Sequence, residues 1–175
     1  MTDSSAAAGG SITRSTTYKD RRFAAPDHEL PALLGVGPAV WRGAEIAIAV
    51  TAFLIYSTGA EFTILGRSAR TALNEESTVK AVRRGLEGSK EREPGTLRFG
   101  VQGLPLTPLG GQYQQHSFRH TAWVPLPAEG DIVLFLEWPA AGIEYAEFRI
   151  AGDRARGAAD SAVVLWPPAP DSQAR

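Results

Sequence analysis

The 175-residue chain contains no cysteine, only three lysines and no long run of apolar residues. The absence of cysteine excludes disulfides, thiol catalysis and cysteine metal ligands. The longest mostly apolar run, residues 46–56, is too short to cross a bilayer as a helix. The net charge is −1, so no overall field draws the chain to nucleic acid or to an anionic membrane. We therefore expect no nucleic-acid partner and no membrane span.

The two ends of the chain have the composition of tails. Residues 1–10 are small and polar and lack the apolar core of a signal peptide, which favours a cytoplasmic location. Residues 1–31 and 169–175 bury too little apolar surface to offset their ordering entropy, so we predict two disordered tails. An alternative for the first is a docking peptide anchored by Tyr18 and Phe23.

The clearest pattern is strand, strand, helix over residues 131–168. Apolar residues alternate over 131–138, the period of a strand, and a second strand is predicted over 143–150. A simple hairpin between them would place Glu137 opposite Glu144, and opposed like charges are destabilising. Unless an arginine intervenes, this favours a connection that crosses to another sheet. An alanine-rich stripe from Ala155 to Trp166 predicts a C-terminal helix.

Residues 44–56 and 61–67 predict a hairpin around a four-residue turn that contains Gly59. Pairing Ile55 with Phe62 and Phe53 with Ile64 places these four side chains on one face.

Residues 71–95 predict a solvated insertion with one short helix, because Val79, Val82 and Leu86 recur at helical spacing among balanced charges. With five or six strands in all, we predict an all-β fold. It is an immunoglobulin-like or jelly-roll sandwich over residues 32–168, with this insertion and one C-terminal helix.

The candidate site is a predicted long loop over residues 103–120, rich in glycine, proline and glutamine. His116 and His120 could supply two metal ligands, but zinc needs a third or fourth. The remaining histidine, His28, lies in the predicted tail, so we expect no metal and no cofactor. Aromatic and arginine side chains dominate interface energetics, which favours a binding loop. Its candidate residues are Tyr113, His116, Phe118, Arg119, His120 and Trp123.

The resulting hypothesis is a non-enzymatic module that binds a protein, or itself, through this loop and the exposed edge of a sheet. The alternative is a metal- or carboxylate-dependent hydrolase that uses His116 and His120 of the 116–120 loop with Glu137. A third class is a structural subunit whose N-terminal tail orders on a neighbour. Among carboxylates, Glu137, Glu144 and Glu147 are close in sequence, a weak indication of glycoside hydrolysis.

Two segments, WVPLP at 123–127 and EWPAAGI at 137–143, together with the terminal alanine-rich helix and LWP at 165–167, carry a resemblance. Over residues 40–167 the chain resembles an uncharacterised family of small proteins from high-GC Gram-positive bacteria. The resemblance implies a single bacterial domain. No activity is assigned to that family, so it implies no functional residues.

Overall fold

The computed structural model describes residues 25–70, 73, 75–86 and 95–167. The predicted C-terminal tail and most of the N-terminal tail, with Tyr18 and Phe23, lie outside these ranges. The described elements are β1 (Glu29–Leu30), β2 (Ala32–Leu33), β3 (Ala39–Arg42), β4 (Ile46–Ile55), β5 (Gly59–Ser68), α1 (Glu76–Leu86), β6 (Arg98–Val101), β7 (Thr107–Gln114), β8 (Ser117–Pro125), β9 (Ile132–Trp138), β10 (Ile143–Ile150), α2 (Gly152–Ala159) and β11 (Val163–Val164).

The strands form three antiparallel sheets. The large sheet has the order β2-β4-β5-β8-β7, and β3 also pairs with β4. The small sheet has the order β10-β9-β6, and β1 pairs with β11 alone in a two-stranded ribbon. The predicted all-β, sandwich-like fold is confirmed. Its assignment to the immunoglobulin or jelly-roll type stays a prediction.

The core lies between the large and small sheets. Aromatic rings meet across it: Phe62 of the large sheet lies 6.2 Å from Phe99 of the small one, at an interplanar angle of 62°, and Phe53 stacks on Phe148 at 6.5 Å. Because the long strands β4 and β5 bury alternate residues over most of their length, the hydrophobic pattern fixes which of their faces meets the other sheet.

A β-bulge in β4 corrects the predicted register of the first hairpin. The hairpin is confirmed, but Ile55 pairs with Ala60, not with Phe62, and the register shifts between Thr51 and Leu54. Ala52 adopts a left-handed conformation there, with φ 54°. The extra residue reverses the alternation, so Val50 and Phe53 both face the core.

β9 and β10 form a hairpin within one sheet, so the predicted crossing to another sheet is wrong. Ile143 pairs with Trp138, and a bulge follows before Ala146 pairs with Leu136. The bulge removes the direct opposition of Glu137 and Glu144. Arg98 on the neighbouring strand β6 binds the Glu137 carboxylate at 2.6 Å, which neutralises it.

Both predicted helices are present, but their lengths and environments differ from the predictions. α1 buries Val82 and Leu86, so the inserted helix is part of the core, and only its other face is solvated. α2 ends at Ala159, earlier than predicted. A turn at Asp160 and Ser161 follows it, and Val163–Val164 then forms strand β11.

Candidate functional site

The predicted binding loop is a β-hairpin. β7 and β8 pair from Thr107–Trp123 to Gln114–Ser117, and Gln115 and His116 form the turn. The loop prediction is therefore wrong over most of its length. Glycine and proline suggested irregular structure, but Gly110 and Gly111 pair with Thr121 and His120 in the ladder, where neighbouring strands supply the order that local propensity does not.

The six predicted binding residues differ in how far the hairpin buries them. Phe118 is 2% exposed and Trp123 is fully buried, so neither can contact a partner in this conformation. Tyr113 is partly buried against the core, and His120 is buried. Only His116 and Arg119 are exposed. A binding role for these two residues stays a prediction.

His120 is held on the core side of the hairpin by aromatic neighbours. Its Nε2 lies 2.7 Å from the Tyr113 hydroxyl, and the Phe118 ring packs edge-on at 5.9 Å. The Tyr113 hydroxyl in turn donates to the Val79 carbonyl of α1 at 3.4 Å. Burial lowers the pKa of His120 to about 4, so the imidazole is neutral at pH 7. It bonds to the Tyr113 hydroxyl, which links the hairpin to α1.

The residues of the hydrolase hypothesis do not come together. His120 faces the core from the large sheet, bonded to Tyr113, whereas Glu137 lies on β9 of the small sheet, bound to Arg98. Among the described residues, no group of three or more His, Asp or Glu side chains could hold a metal ion.

Most of the exposed large apolar side chains of the described chain lie around the β1–β11 ribbon. Five of them lie on it or directly after it, each at least 43% exposed: Leu30, Val163, Val164, Leu165 and Trp166. The sequence contained a signal, because Val163 to Trp166 is an unbroken apolar run with two β-branched residues, a pattern typical of a strand. The alanine stripe before it suggested a longer helix instead.

A buried carboxylate fastens this ribbon to the large sheet. Glu29 pairs with Val164 in the ladder, and its side chain is only 5% exposed. The carboxylate accepts hydrogen bonds from the Ser57 backbone N–H at 3.0 Å and from the Ser57 hydroxyl at 2.5 Å. His28 Nε2 lies 3.6 Å from it, and the His28 carbonyl accepts from the Leu165 N–H at 2.8 Å.

Beside this anchor lies a small aromatic and acidic cluster. The Tyr56 ring packs on Trp123 at 5.5 Å, and Glu61 pairs with Trp123 across β5 and β8. Burial, then the charges of Glu61 and Glu29, raise the pKa of Tyr56, and burial raises the pKa of Glu61. The Trp123 indole N–H has no hydrogen-bond acceptor within the described part of the chain. Trp123 therefore serves packing.

Comparison with protein-family models, with curated proteins and with solved structures gave no match. The resemblance to the bacterial family therefore stays a prediction. Among the described residues no helix is long and apolar enough to cross a membrane. The class that the fold and its surfaces define is an all-β, sandwich-like domain with an apolar ribbon at its edge.

Proposed function

We propose that this chain is a protein-interaction module that assembles with a second copy of itself by pairing strand β11 with its equivalent. The observation that carries the proposal is the concentration of exposed apolar side chains around the β1–β11 ribbon. Exposed apolar side chains that are grouped, not scattered singly, are typical of interaction sites. The proposal retains the expected function but moves its surface from the predicted loop of residues 103–123 to the ribbon.

The placement of these side chains favours pairing at an edge over docking on a face. Cross-strand partners share a face, so Leu30 and Val163 project to one side and Val164 to the other. A partner laid on one face would leave the opposite face exposed. A ribbon paired edge to edge gives the apolar residues on both faces new cross-strand neighbours.

The unpaired edge of β11 and the small net charge of the chain both favour pairing with a second copy. Within the described residues, β11 pairs only with β1, so its other edge offers free N–H and C=O groups to an added strand. Antiparallel pairing of identical strands about a twofold axis is self-complementary. The net charge of −1 opposes association little, and the Glu29 carboxylate points into the fold.

Sedimentation equilibrium of the full chain tests the proposal. We expect a mass twice the 18.7 kDa of one chain. Val164→Lys places like charges on either side of the twofold axis and should give monomers at the same concentration. Val40→Lys is the matched control, because Val40 is also exposed but lies on β3, and it should leave the dimer intact.

Either of two results would overturn the proposal: a wild-type chain that is monomeric up to about 200 µM, well above the dissociation constants of specific interfaces, or a Val164→Lys variant as dimeric as the wild type. The melting temperature of each variant shows whether it is folded. A monomeric but unfolded Val164→Lys would be replaced by Val164→Ser.

A further inference from the structure

The outer face of the small sheet carries an ordered group of aromatic and polar side chains. It consists of Phe135 on β9, Tyr145, Glu147 and Arg149 on β10, and Gln102 directly after β6, and is called the platform below. Phe135 lies between the fully buried Leu134 and Leu136, so its side chain points away from the core. The packing of the two sheets therefore does not explain this group.

Two rings form the apolar part of the platform. Tyr145 stacks on Phe135 with ring centroids 6.1 Å apart at an angle of 25°, and its exposed fraction is 49%. The bulge of β10 presents Tyr145 here. Gly100 pairs with Phe135, and a Cβ at Gly100 would lie 2.7 Å from the ring. The glycine thus lets the ring lie across the sheet.

Hydrogen bonds hold polar groups beside the rings. Glu147 Oε1 accepts from the Tyr145 hydroxyl at 2.8 Å and from the Gln102 amide at 2.5 Å. Glu147 Oε2 accepts from Arg149 at 2.7 Å. The bond from Tyr145, followed by those from Arg149 and Gln102, lowers the pKa of Glu147, so it is ionised at pH 7. Donors and acceptors are therefore fixed next to an exposed ring before any ligand arrives.

This face carries two ion pairs. Glu147 is paired with Arg149 and Glu137 with Arg98. A polyanion such as single-stranded nucleic acid would need a positively charged groove in addition to stacking rings, and these pairs provide no excess of positive charge. The ligand that fits is uncharged, has an apolar face to lie on a ring, and has groups that both donate and accept hydrogen bonds.

We propose that the platform binds a neutral carbohydrate. A pyranose ring lies with its C–H face on Tyr145, and its hydroxyls bond to the Gln102 amide, the Glu147 carboxylate and the Arg149 guanidinium. Hydroxyls both donate and accept, which matches this mixture of a carboxylate acceptor and guanidinium and amide donors. An outer sheet face with a half-exposed ring suits a chain of sugars that passes over it better than a small molecule enclosed in a pocket.

Affinity electrophoresis of the full chain tests this proposal. The native gels contain a soluble neutral polysaccharide: a β-1,4-glucan, a β-1,3-glucan, an α-1,4-glucan or a galactomannan. We expect at least one of them to retard the wild type. Tyr145→Ala removes the stacking ring and should abolish the retardation, and Gln102→Ala should reduce it several-fold. Polygalacturonate gels provide the anionic comparison.

Val40→Ser is the matched control, since it changes an exposed apolar residue on β3 of the other sheet. It should be retarded like the wild type. The proposal is overturned if no neutral polysaccharide retards the chain, if only polygalacturonate does, or if Tyr145→Ala is retarded as strongly as the wild type. Tyr145→Ser replaces Tyr145→Ala if the latter does not melt like the wild type. Dimer formation through the ribbon is measured separately, so either proposal can fail alone.

Discussion

The β7–β8 hairpin and the β1–β11 ribbon are both antiparallel strand pairs, yet they place their apolar residues in opposite environments. The hairpin directs Phe118 into the core and Trp123 into the cluster beside Tyr56. The ribbon leaves Val163 and Val164 more than half exposed. The hairpin's residues are polar and glycine-rich in sequence, whereas the ribbon's are among the most apolar of the chain. Local hydrophobicity therefore did not predict burial.

The two regions differ in burial because other strands and helices pack against the hairpin and few pack against the ribbon. Strand β8 of the hairpin pairs with β5 along its whole length, and Tyr113 on β7 bonds to α1. The ribbon has two residues in each strand, pairs with no other described strand, and is fastened mainly through Glu29. A strand becomes part of a core when other elements pack on its faces. The sequence of the strand alone does not show how many elements will pack on it.

Phe118→Ala gives the largest expected contrast between the two regions. Deleting a buried phenylalanine ring costs the transfer free energy and leaves a cavity, so we expect the free energy of unfolding to fall by about 3–5 kcal/mol. Val163→Ala on the ribbon should change the free energy of unfolding of the monomer by no more than about 0.5 kcal/mol. Urea unfolding measures both. Equal losses would show that the ribbon is as much part of the core as the hairpin.

His120 in the hairpin provides the next contrast, in the pH dependence of the free energy of unfolding. Burial lowers its pKa from 6.5 in the unfolded chain to about 4 in the fold. Between these values the unfolded chain binds a proton that the folded chain does not, so stability falls as the pH decreases from 6.5 to 4. The loss reaches roughly 3 kcal/mol near pH 4.

Comparing wild type with His120→Gln isolates this effect. Glutamine can still bond to the Tyr113 hydroxyl but gains no charge. Between pH 6.5 and 4 the free energy of unfolding of the variant should therefore fall by roughly 3 kcal/mol less than that of the wild type. The raised pKa of Glu61 and the lowered pKa of Glu147 contribute to both proteins and cancel in the difference. His116→Gln, at the exposed turn, should retain the wild-type slope. Parallel curves for wild type and His120→Gln would contradict the prediction.

Periodicity predicted the elements whose partners are adjacent in sequence. The β4–β5 and β9–β10 hairpins follow from alternating apolar residues separated by short turns, and α1 follows from its helical spacing. The bulges were not predictable in this way, since Ala52 carries no glycine signal for a left-handed conformation. An alternation counted through position 52 places Val50 and Phe53 on opposite faces, whereas both face the core.

The functional surfaces were less predictable because they depend on contacts distant in sequence. Arg98 resolves the conflict at Glu137 from 39 residues away, so the like-charge argument pointed to a crossing that does not exist. The ribbon joins residues 29–30 to 163–164, segments that were predicted to be a tail and a helix. Aromatic residues near histidines suggested a binding loop at Phe118 and Trp123, but those rings are buried between strands.

The bond between Glu29 and Ser57 gives the smallest expected effect and tests what holds the ribbon in place. A hydrogen bond to a buried carboxylate contributes more than one between neutral groups. Glu29→Gln and Ser57→Ala should each reduce the free energy of unfolding by about 1 kcal/mol. The double variant should lose less than the sum, because both changes remove the same hydroxyl–carboxylate bond.

Hydrogen exchange shows which part of the fold loses stability in these variants. The Leu165 N–H bonds to the His28 carbonyl, next to Glu29, so its protection should fall in both single variants. The amide of Thr121 in the hairpin should exchange as in the wild type, because opening of the ribbon is local. If the two substitutions are additive, or if protection falls equally at Leu165 and Thr121, Glu29 is not the anchor that distinguishes the ribbon from the hairpin. The exposed apolar strands would then have to be held by other contacts.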